Sequence, residues 1–328
     1  MPVSIVVGGQ FGSEGKGKVA AILAQEMGAS MVIRCGGSNS GHTVYNKVGK
    51  KFIFRQLPTA CIQPDIRCML VSGSYIDIDI LIHEIKVSNI KPENLYIDPK
   101  AVIINHDNLS TEEISRLMSD IGSTGSGTGQ AVVQRVSRSN NLTFAKDIDR
   151  LQPYLCDTPS LIEQALKKGE RIIVEGTQGY GLSVLHSDYY PYVTSRDTTA
   201  AGFISECGIS PLDVDDIVLV MRSFPIRVSG NSGPLLSEID WETVASESGF
   251  DKPIRELTSV TKKLRRVGRF NLELVKRAIL VNKPSRLVLN HMDYIAPDRR
   301  KSFVAEIERH LGKKVDYIGE SHSTLSAN

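Results

Sequence analysis

The sequence is poor in cysteine, and its cysteines form no pairing pattern. There are five, an odd number, and no C-x-x-C pair occurs among Cys35, Cys61, Cys68, Cys156 and Cys207. This set argues against a disulfide framework and against a structural zinc site. A reducing, cytoplasmic location is therefore expected.

Long apolar runs and a strong excess of one charge are also lacking. The longest apolar runs, such as 217–221 and 172–174, have strand length and fall far below the ~20 residues of a membrane span. No basic stretch followed by an apolar core opens the chain, so no secretory signal is expected. Lys and Arg number 39 against 37 Asp and Glu, a net charge of +2. This balance argues against a nucleic-acid partner, although a small anionic substrate needs only a few local cations.

The remaining composition is that of a globular protein, with 328 residues, 41% hydrophobic and 23% charged. Candidate strands and helices alternate along the chain, which predicts an α/β fold. We expect one elaborated domain over 1–328, built on a large, mostly parallel central sheet flanked by helices. Strands are predicted at 3–7, 31–34, 52–55, 68–72, 101–104, 171–175, 216–221 and 286–290. Helices are predicted at 19–24, 76–86, 111–119, 160–168 and 271–280.

A glycine-rich loop follows the first predicted strand and reads GGQFGSEGKGK over 8–18. Glycines let backbone N–H groups approach an anion, and the following helix N-terminus and two lysines add positive charge. The segment from Gly12 nearly matches a Walker P-loop, but Val19 stands where that loop has Ser or Thr. A P-loop-like phosphate site is predicted, in which any metal is held by other groups.

A second loop, NSGHT over 39–43, follows the second predicted strand. Functional groups gather after strands in α/β folds, so His42 is a candidate general acid or oxyanion-stabilising group. A third segment, 122–130, is so rich in glycine and serine that no regular structure is expected there.

The two loops together resemble the adenylosuccinate synthetase family, which shows G-x-Q-W-G-D-E-G-K-G-K and N-A-G-H-T. The resemblance continues to residue 293. Residues 122–125 are similar to the family's G-T-T-G, 175–179 to E-G-A-Q-G, 190–195 to Y-P-Y-V-T-S, 198–200 to T-T-A, and 260–268 to T-T-G-R-x-R-R-x-G.

The resemblance implies the family's fold and its reaction. A nucleoside triphosphate, usually GTP, phosphorylates the 6-oxygen of a purine nucleotide, and the amino group of L-aspartate then displaces the phosphate. It also implies Mg²⁺ and a homodimer.

The resemblance further assigns site residues. Catalysis would fall to Ser13, Lys16, His42 and Gln178, and Mg²⁺ to Ser13 and the carbonyl of Gly41. The triphosphate would be bound by Gly12, Ser13, Gly15, Lys16, Gly17, Lys18, Gly41, Thr43, Arg265, Asn290, His291 and Asp293. The purine monophosphate would be bound by Ser13, Asn39, Ser123, Thr124, Gln178, Thr194 and Lys263, with Arg138 reaching across from the other subunit. Aspartate would be bound by Ser259, Val260, Thr261, Lys263 and Arg265.

One departure from the family changes the expected acceptor. Ser13 stands where the family has an Asp that removes the N1 proton, and a hydroxyl is a poor base at pH 7. Serine is smaller and both donates and accepts, so it leaves room for a purine 2-amino group. With serine in place of this aspartate, the sequence resembles a bacteriophage branch of the family. That branch joins aspartate to dGMP, giving N6-succino-2-amino-2′-deoxyadenylate for the synthesis of DNA that contains 2-aminoadenine. Such a chain would act in the host cytoplasm. Lys263, in place of an Arg that contacts the ribose 2′-hydroxyl, is compatible with this substrate.

Three questions stay open at this point: the activity, the route of the N1 proton and the identity of the donor. The acceptor could be inosine monophosphate (IMP), as in ordinary adenylosuccinate synthesis, or the chain could be a non-catalytic nucleotide-binding protein. The N1 proton could leave through water or through Ser13 to Glu14. The donor is also open, because the retained Asp293 leaves GTP possible whereas His291, in place of the family's Lys, makes ATP or dATP alternatives.

Overall fold

The computed structural model describes residues 2–115, 117–250, 254–258 and 262–328. Within them the strands are β1 Val3–Gly8, β2 Met31–Gly36, β3 His42–Tyr45, β4 Lys51–Phe54, β5 Arg67–Ile76, β6 Leu95–Ile97, β7 Val102–Ile103, β8 Ile172–Glu175, β9 Val214–Arg222, β10 Ile226–Arg227, β11 Glu238–Ile239, β12 Arg266–Gly268, β13 Arg286–Asn290, β14 Tyr317–Ile318 and β15 Ser326–Ala327. The helices are α1 Lys16–Glu26, α2 Ile78–Ser88, α3 His106–Ile114, α4 Leu117–Ile121, α5 Thr128–Val136, α6 Thr158–Lys167, α7 Ala200–Cys207, α8 Trp241–Ser248, α9 Leu272–Asn282 and α10 Arg300–Leu311.

Ten of the described strands form the central sheet. Its order is β15-β14-β13-β9-β1-β8-β2-β5-β6, with β7 also paired to β5. Every pair is parallel except β14 with β15. The predicted α/β fold with a mostly parallel sheet is confirmed.

The sheet is buried on both faces, as parallel sheets generally are. Alternate residues of β1 show this, since Ile5 and Val7 belong to one hydrophobic cluster and Val6, between them, belongs to another. Strands of this kind read as continuous apolar runs, which is why the sequence predicts them well. No helix among the described residues is long and apolar enough to cross a membrane.

Some predicted elements differ from the structure. The helix expected at 111–119 is two helices, α3 and α4, and α3 begins earlier because Asn105 and Asn108 form a reciprocal capping box. The irregular segment expected at 122–130 ends at α5, which begins at Thr128 after Gly127 in a left-handed conformation. The strand expected at 52–55 pairs with β3 in a separate hairpin.

Helices α7 and α8 are not predicted from the sequence, although both carry terminal signals. The side chain of Thr199 caps α7 and that of Asp240 caps α8, and each helix ends at a left-handed glycine. Their apolar faces are short, so helical periodicity alone does not reveal them.

Candidate active site

The loops after β1, β2 and β8 meet at the carboxyl edge of the sheet, where ligands bind in α/β folds. They enclose a cavity of about 550 Å³, within the usual size range of ligand pockets. Predicted site residues that line it are Gly12, Ser13, Lys16, Asn39, Gly41, His42, Ser123, Thr124, Gln178, Thr194 and Arg265. The fold therefore brings together groups from separate segments of the sequence.

Other predicted site residues do not line this cavity. They are Gly15, Gly17, Lys18, Thr43, Arg138, Lys263, Asn290, His291 and Asp293. Ser259, Val260 and Thr261 fall outside the described residues. The ligand roles given to all of these residues stay predictions.

The predicted phosphate loop, residues 8–18, turns sharply between β1 and α1. Gly12, Ser13 and Gly15 have positive φ angles of 88°, 58° and 91°. A left-handed serine is uncommon, because its Cβ crowds the backbone. Gly15 is also sterically required, since a Cβ there would lie 2.7 Å from Nδ2 of Asn290.

Glu14 is a buried counter-ion inside this loop. Its Oε1 accepts hydrogen bonds from the backbone N–H groups of Gln10, at 3.1 Å, and Gly12, at 2.8 Å. Its Oε2 lies 2.6 Å from Nζ of Lys16, and both side chains are almost fully buried. Because Glu14 holds the loop and does not line the cavity, this geometry does not support a proton relay from Ser13 to Glu14.

His42 is oriented by a buried carboxylate on β8. Its Nδ1 lies 2.6 Å from Oε1 of Glu175, whose Oε2 accepts from the backbone N–H and hydroxyl of Thr59. Burial and the charge of Arg34 lower the pKa of His42 to about 4, against the opposing effect of Glu175. Although burial alone would raise it, the pKa of Glu175 lies below its usual value because of its contacts with His42 and Arg34. Nδ1–H of a neutral His42 therefore donates to Glu175.

A shared carboxylate connects Ser13 to the arginine predicted to bind aspartate. Glu256 contacts Arg222 at 2.6 Å and Arg265 at 2.8 Å. Although burial favours protonation, the charges of these arginines hold the pKa of Glu256 far below its usual range. Nη1 of Arg222 also donates to the backbone oxygen of Ser13 at 3.1 Å. Ser13 and Arg265, which is predicted to bind aspartate, are thus linked through Arg222 and Glu256 by two ion pairs and one hydrogen bond.

The residues predicted to select the donor base gather at the end of β13. Asn290 is used structurally, because its Nδ2 donates to the backbone oxygen of Glu14 at 2.8 Å. The His291 ring lies 5.6 Å from that of Tyr294, and burial lowers the pKa of His291 to about 3. Nearby, Nζ of Lys18 donates to the backbone oxygens of Ser321 and Thr324 and so holds the C-terminal segment.

Comparison with known proteins decides the family. The family model for adenylosuccinate synthetase matches residues 5–146 and 141–297 of the chain. The chain belongs to the adenylosuccinate synthetase family. It is thereby a nucleoside-triphosphate-dependent ligase that forms a C–N bond.

Relatives within the adenylosuccinate synthetase family include archaeal and phage proteins. The adenylosuccinate synthetase of Thermococcus onnurineus is 38% identical over 97% of this chain and 95% of its own length. The N6-succino-2-amino-2′-deoxyadenylate synthase of Vibrio phage phiVC8 is 35% identical over the same shares. The cyanophage S-2L succinoaminodeoxyadenylate synthetase, solved with dGMP and with dATP as an energy donor, superposes with a TM-score of 0.86. It is 26% identical and covers 99% of this chain and 95% of its own.

Sequence reasoning missed the acidic partners of this adenylosuccinate synthetase site. The motif over 175–179 contains Glu175 but gives it no role, and no motif points to Glu256. Each contacts a residue that is distant in sequence. Glu175 and His42 are 133 positions apart, and Glu256 and Arg222 are 34 positions apart. For Glu256, the sequence offers only the presence of an acidic residue shortly before the basic cluster over 262–269.

Proposed function

We propose that this ligase joins L-aspartate to dGMP. A nucleoside triphosphate, ATP, dATP or GTP, would phosphorylate the purine 6-oxygen, and the aspartate amino group would then displace phosphate. The product would be N6-succino-2-amino-2′-deoxyadenylate, a precursor of 2-aminoadenine in DNA.

The observation that carries this proposal is that Ser13 lies on the wall of a cavity and has no acidic side chain beside it on that wall, among the residues that the structure describes. None of the described residues lining the cavity is Asp or Glu. A serine leaves more room than an aspartate, and its hydroxyl can accept a hydrogen bond from a purine 2-amino group. The two phage relatives, one of them solved with dGMP, support the same acceptor.

The chemistry follows from the groups that surround Ser13. A 6-oxo oxygen is a poor leaving group, whereas phosphate is a good one. Lys16 and the N-terminus of α1 would stabilise the transferring phosphoryl group, and His42 and Gln178 would contact the purine 6-position. Arg265, held by Glu256, would bind a carboxylate of aspartate, for which guanidinium geometry is suited.

The protein oxygens in this site suit Mg²⁺ only when the nucleotide supplies further ligands. Ser13 and Gly41 both line the cavity and offer neutral oxygens. No cluster of three or more His, Cys, Asp or Glu able to hold a metal occurs among the described residues. Mg²⁺ usually combines few protein oxygens with water and substrate phosphates. In this site it would neutralise phosphate charge while the triphosphate supplies most of its anionic ligands.

A homodimer is part of the proposal. Arg138 is exposed and does not line the cavity of its own chain. Large apolar side chains are exposed on the helices that precede it, including Ile114, Met118, Val133 and Val136. An exposed apolar surface of this kind is typical of an interface. Across it, the partner subunit's Arg138 would reach the acceptor phosphate.

Ordinary adenylosuccinate synthesis from IMP is the second candidate. It is favoured by the archaeal relatives, of which one is 38% identical. The test is aspartate-dependent phosphate release with Mg²⁺ and ATP, dATP or GTP, comparing dGMP, GMP and IMP. We expect dGMP to be preferred. A preference for IMP would overturn the proposal, and phosphate release independent of aspartate would indicate a nucleotide-binding protein without ligase activity.

A further inference from the structure

The cations on the cavity wall differ in how their charge is balanced. Lys16 is paired with Glu14 and Arg265 with Glu256. Arg227, on β10, also lines the cavity and is only 3% exposed. Among the described residues, no carboxylate lies within ion-pair distance of Arg227.

Arg227 is held in place by neutral groups. Its Nη2 donates to the backbone oxygen of Tyr192 at 2.7 Å, and its Nη1 donates weakly to that of Pro234 at 3.4 Å. The guanidinium carbon lies 4.5 Å from the ring centroid of Phe11 and 5.5 Å from that of Tyr189. Carbonyl oxygens and aromatic faces attract a cation, but they do not supply a full negative charge.

The missing counter-charge is costly for the folded chain. Burial lowers the pKa of Arg227 to about 10, and the charge of Arg266 adds to this effect. Arg227 therefore stays protonated at neutral pH. A buried charge without a counter-ion destabilises a protein unless another group compensates it. A bound anionic ligand would provide that compensation.

The surroundings of Arg227 indicate which anion it faces. A side chain at Gly233 would come within 2.9 Å of its Nη2, and the neighbouring Ser232 lies against Gly122. Gly122 begins the segment predicted to bind the purine monophosphate, and Ser232, Ser123 and Thr124 all line the cavity. Arg227 thus lies on the side of the cavity assigned to the acceptor.

We propose that Arg227 is a binding residue whose unbalanced charge is neutralised by the phosphate of the acceptor nucleotide. This rests on the proposed function only in requiring a purine nucleoside monophosphate as acceptor, whether dGMP or IMP. An apolar side chain at this position would lose these neutral contacts but would also remove the cost of the unpaired charge, so the main effect of such a change should fall on ligand binding.

The test separates ligand binding from structure by measuring stability and affinity on the same variants. Arg227→Met keeps the length of the side chain and removes its charge, whereas Arg227→Lys keeps the charge. Arg269→Met is a matched control, because Arg269 also lies over a phenyl ring, that of Phe224, but is paired with Glu247 and does not line the cavity. Thermal unfolding is followed for each protein, and calorimetry gives affinities for dGMP and for deoxyguanosine, which lacks the phosphate.

Arg227→Met is expected to melt no lower than the unaltered protein and to bind dGMP about ten- to a hundredfold more weakly, the range for loss of a charged contact. Its affinity for deoxyguanosine should not change, Arg227→Lys should retain part of the dGMP affinity, and Arg269→Met should bind dGMP normally. A lower melting temperature with equal losses for dGMP and deoxyguanosine would overturn the proposal in favour of a structural role. Unchanged dGMP affinity together with a raised KM for aspartate, measured separately by steady-state kinetics, would overturn it in favour of the substrate carboxylate.

Failure of the proposed function would look different. If the unaltered protein binds IMP and not dGMP, the dGMP assignment fails, and the comparison of IMP with inosine tests Arg227 in the same way.

Discussion

Replacing Ser13 by aspartate should shift the choice of acceptor from dGMP towards IMP. Ser13 is half-buried on the cavity wall, and Ser13→Asp adds two heavy atoms and a negative charge there. Overfilling a packed site costs about 1–3 kcal/mol. This cost would weaken the use of dGMP, because its 2-amino group would have to share the space with the larger side chain. A charged hydrogen bond to the N1–H of IMP is worth about 1.5–3 kcal/mol, which would favour IMP.

The two effects act in the same direction on the specificity ratio. Their lower limits sum to about 2.5 kcal/mol, so the ratio of kcat/KM for dGMP to that for IMP should fall by about 70-fold or more. The backbone does not oppose the change, since Asp and Asn adopt the left-handed conformation of residue 13 more readily than Ser. The melting temperature should therefore not fall.

The assay is initial-rate kinetics with each acceptor at saturating aspartate and triphosphate. Ser13→Asn is the matched control, because it adds the same bulk without the charge. It should weaken the use of dGMP as aspartate does but should not improve the use of IMP. If Ser13→Asp keeps the full preference for dGMP, residue 13 does not select the acceptor and the reasoning is wrong.

Three further predictions concern residues around the site. Glu175→Gln should lower kcat about ten- to a hundredfold while dGMP affinity stays unchanged, because the charge that orients His42 is lost; an unchanged kcat in steady-state kinetics would contradict this. Lys18→Met should speed amide hydrogen exchange over 319–328 about tenfold or more, since two charged hydrogen bonds to that segment disappear; unaltered protection would refute the tethering role. Arg138→Ala should raise the KM for the acceptor about tenfold although the side chain lies outside its own cavity, and no effect on the KM would remove it from the site.

The sequence predicts seven of the ten described strands of the central sheet, missing β6, β14 and β15, and it predicts the two glycine-rich loops, because the causes of these elements are local. β1 and β8 are mostly apolar and fully buried, and the loop over 8–18 contains the glycines that its turn requires. The short strands β10 to β12 are not predicted, because two- and three-residue strands carry no readable period.

The candidate site is predicted as a set of ligand-contacting residues without the groups that support them. Glu14, Glu175 and Glu256 each balance a cation or orient His42. The contacts of Glu175 with His42 and of Glu256 with Arg222 depend on which distant segments meet in the fold, and single-sequence patterns do not encode that information. The expectations of one domain over 1–328 and of a cytoplasmic location stay predictions.

The most direct test of the central claim is a single competition reaction. The protein is incubated with Mg²⁺, ATP, L-aspartate and equal concentrations of dGMP and IMP, and mass spectrometry measures the two succinylated products. The account predicts that N6-succino-2-amino-2′-deoxyadenylate predominates. Predominance of adenylosuccinate would contradict it.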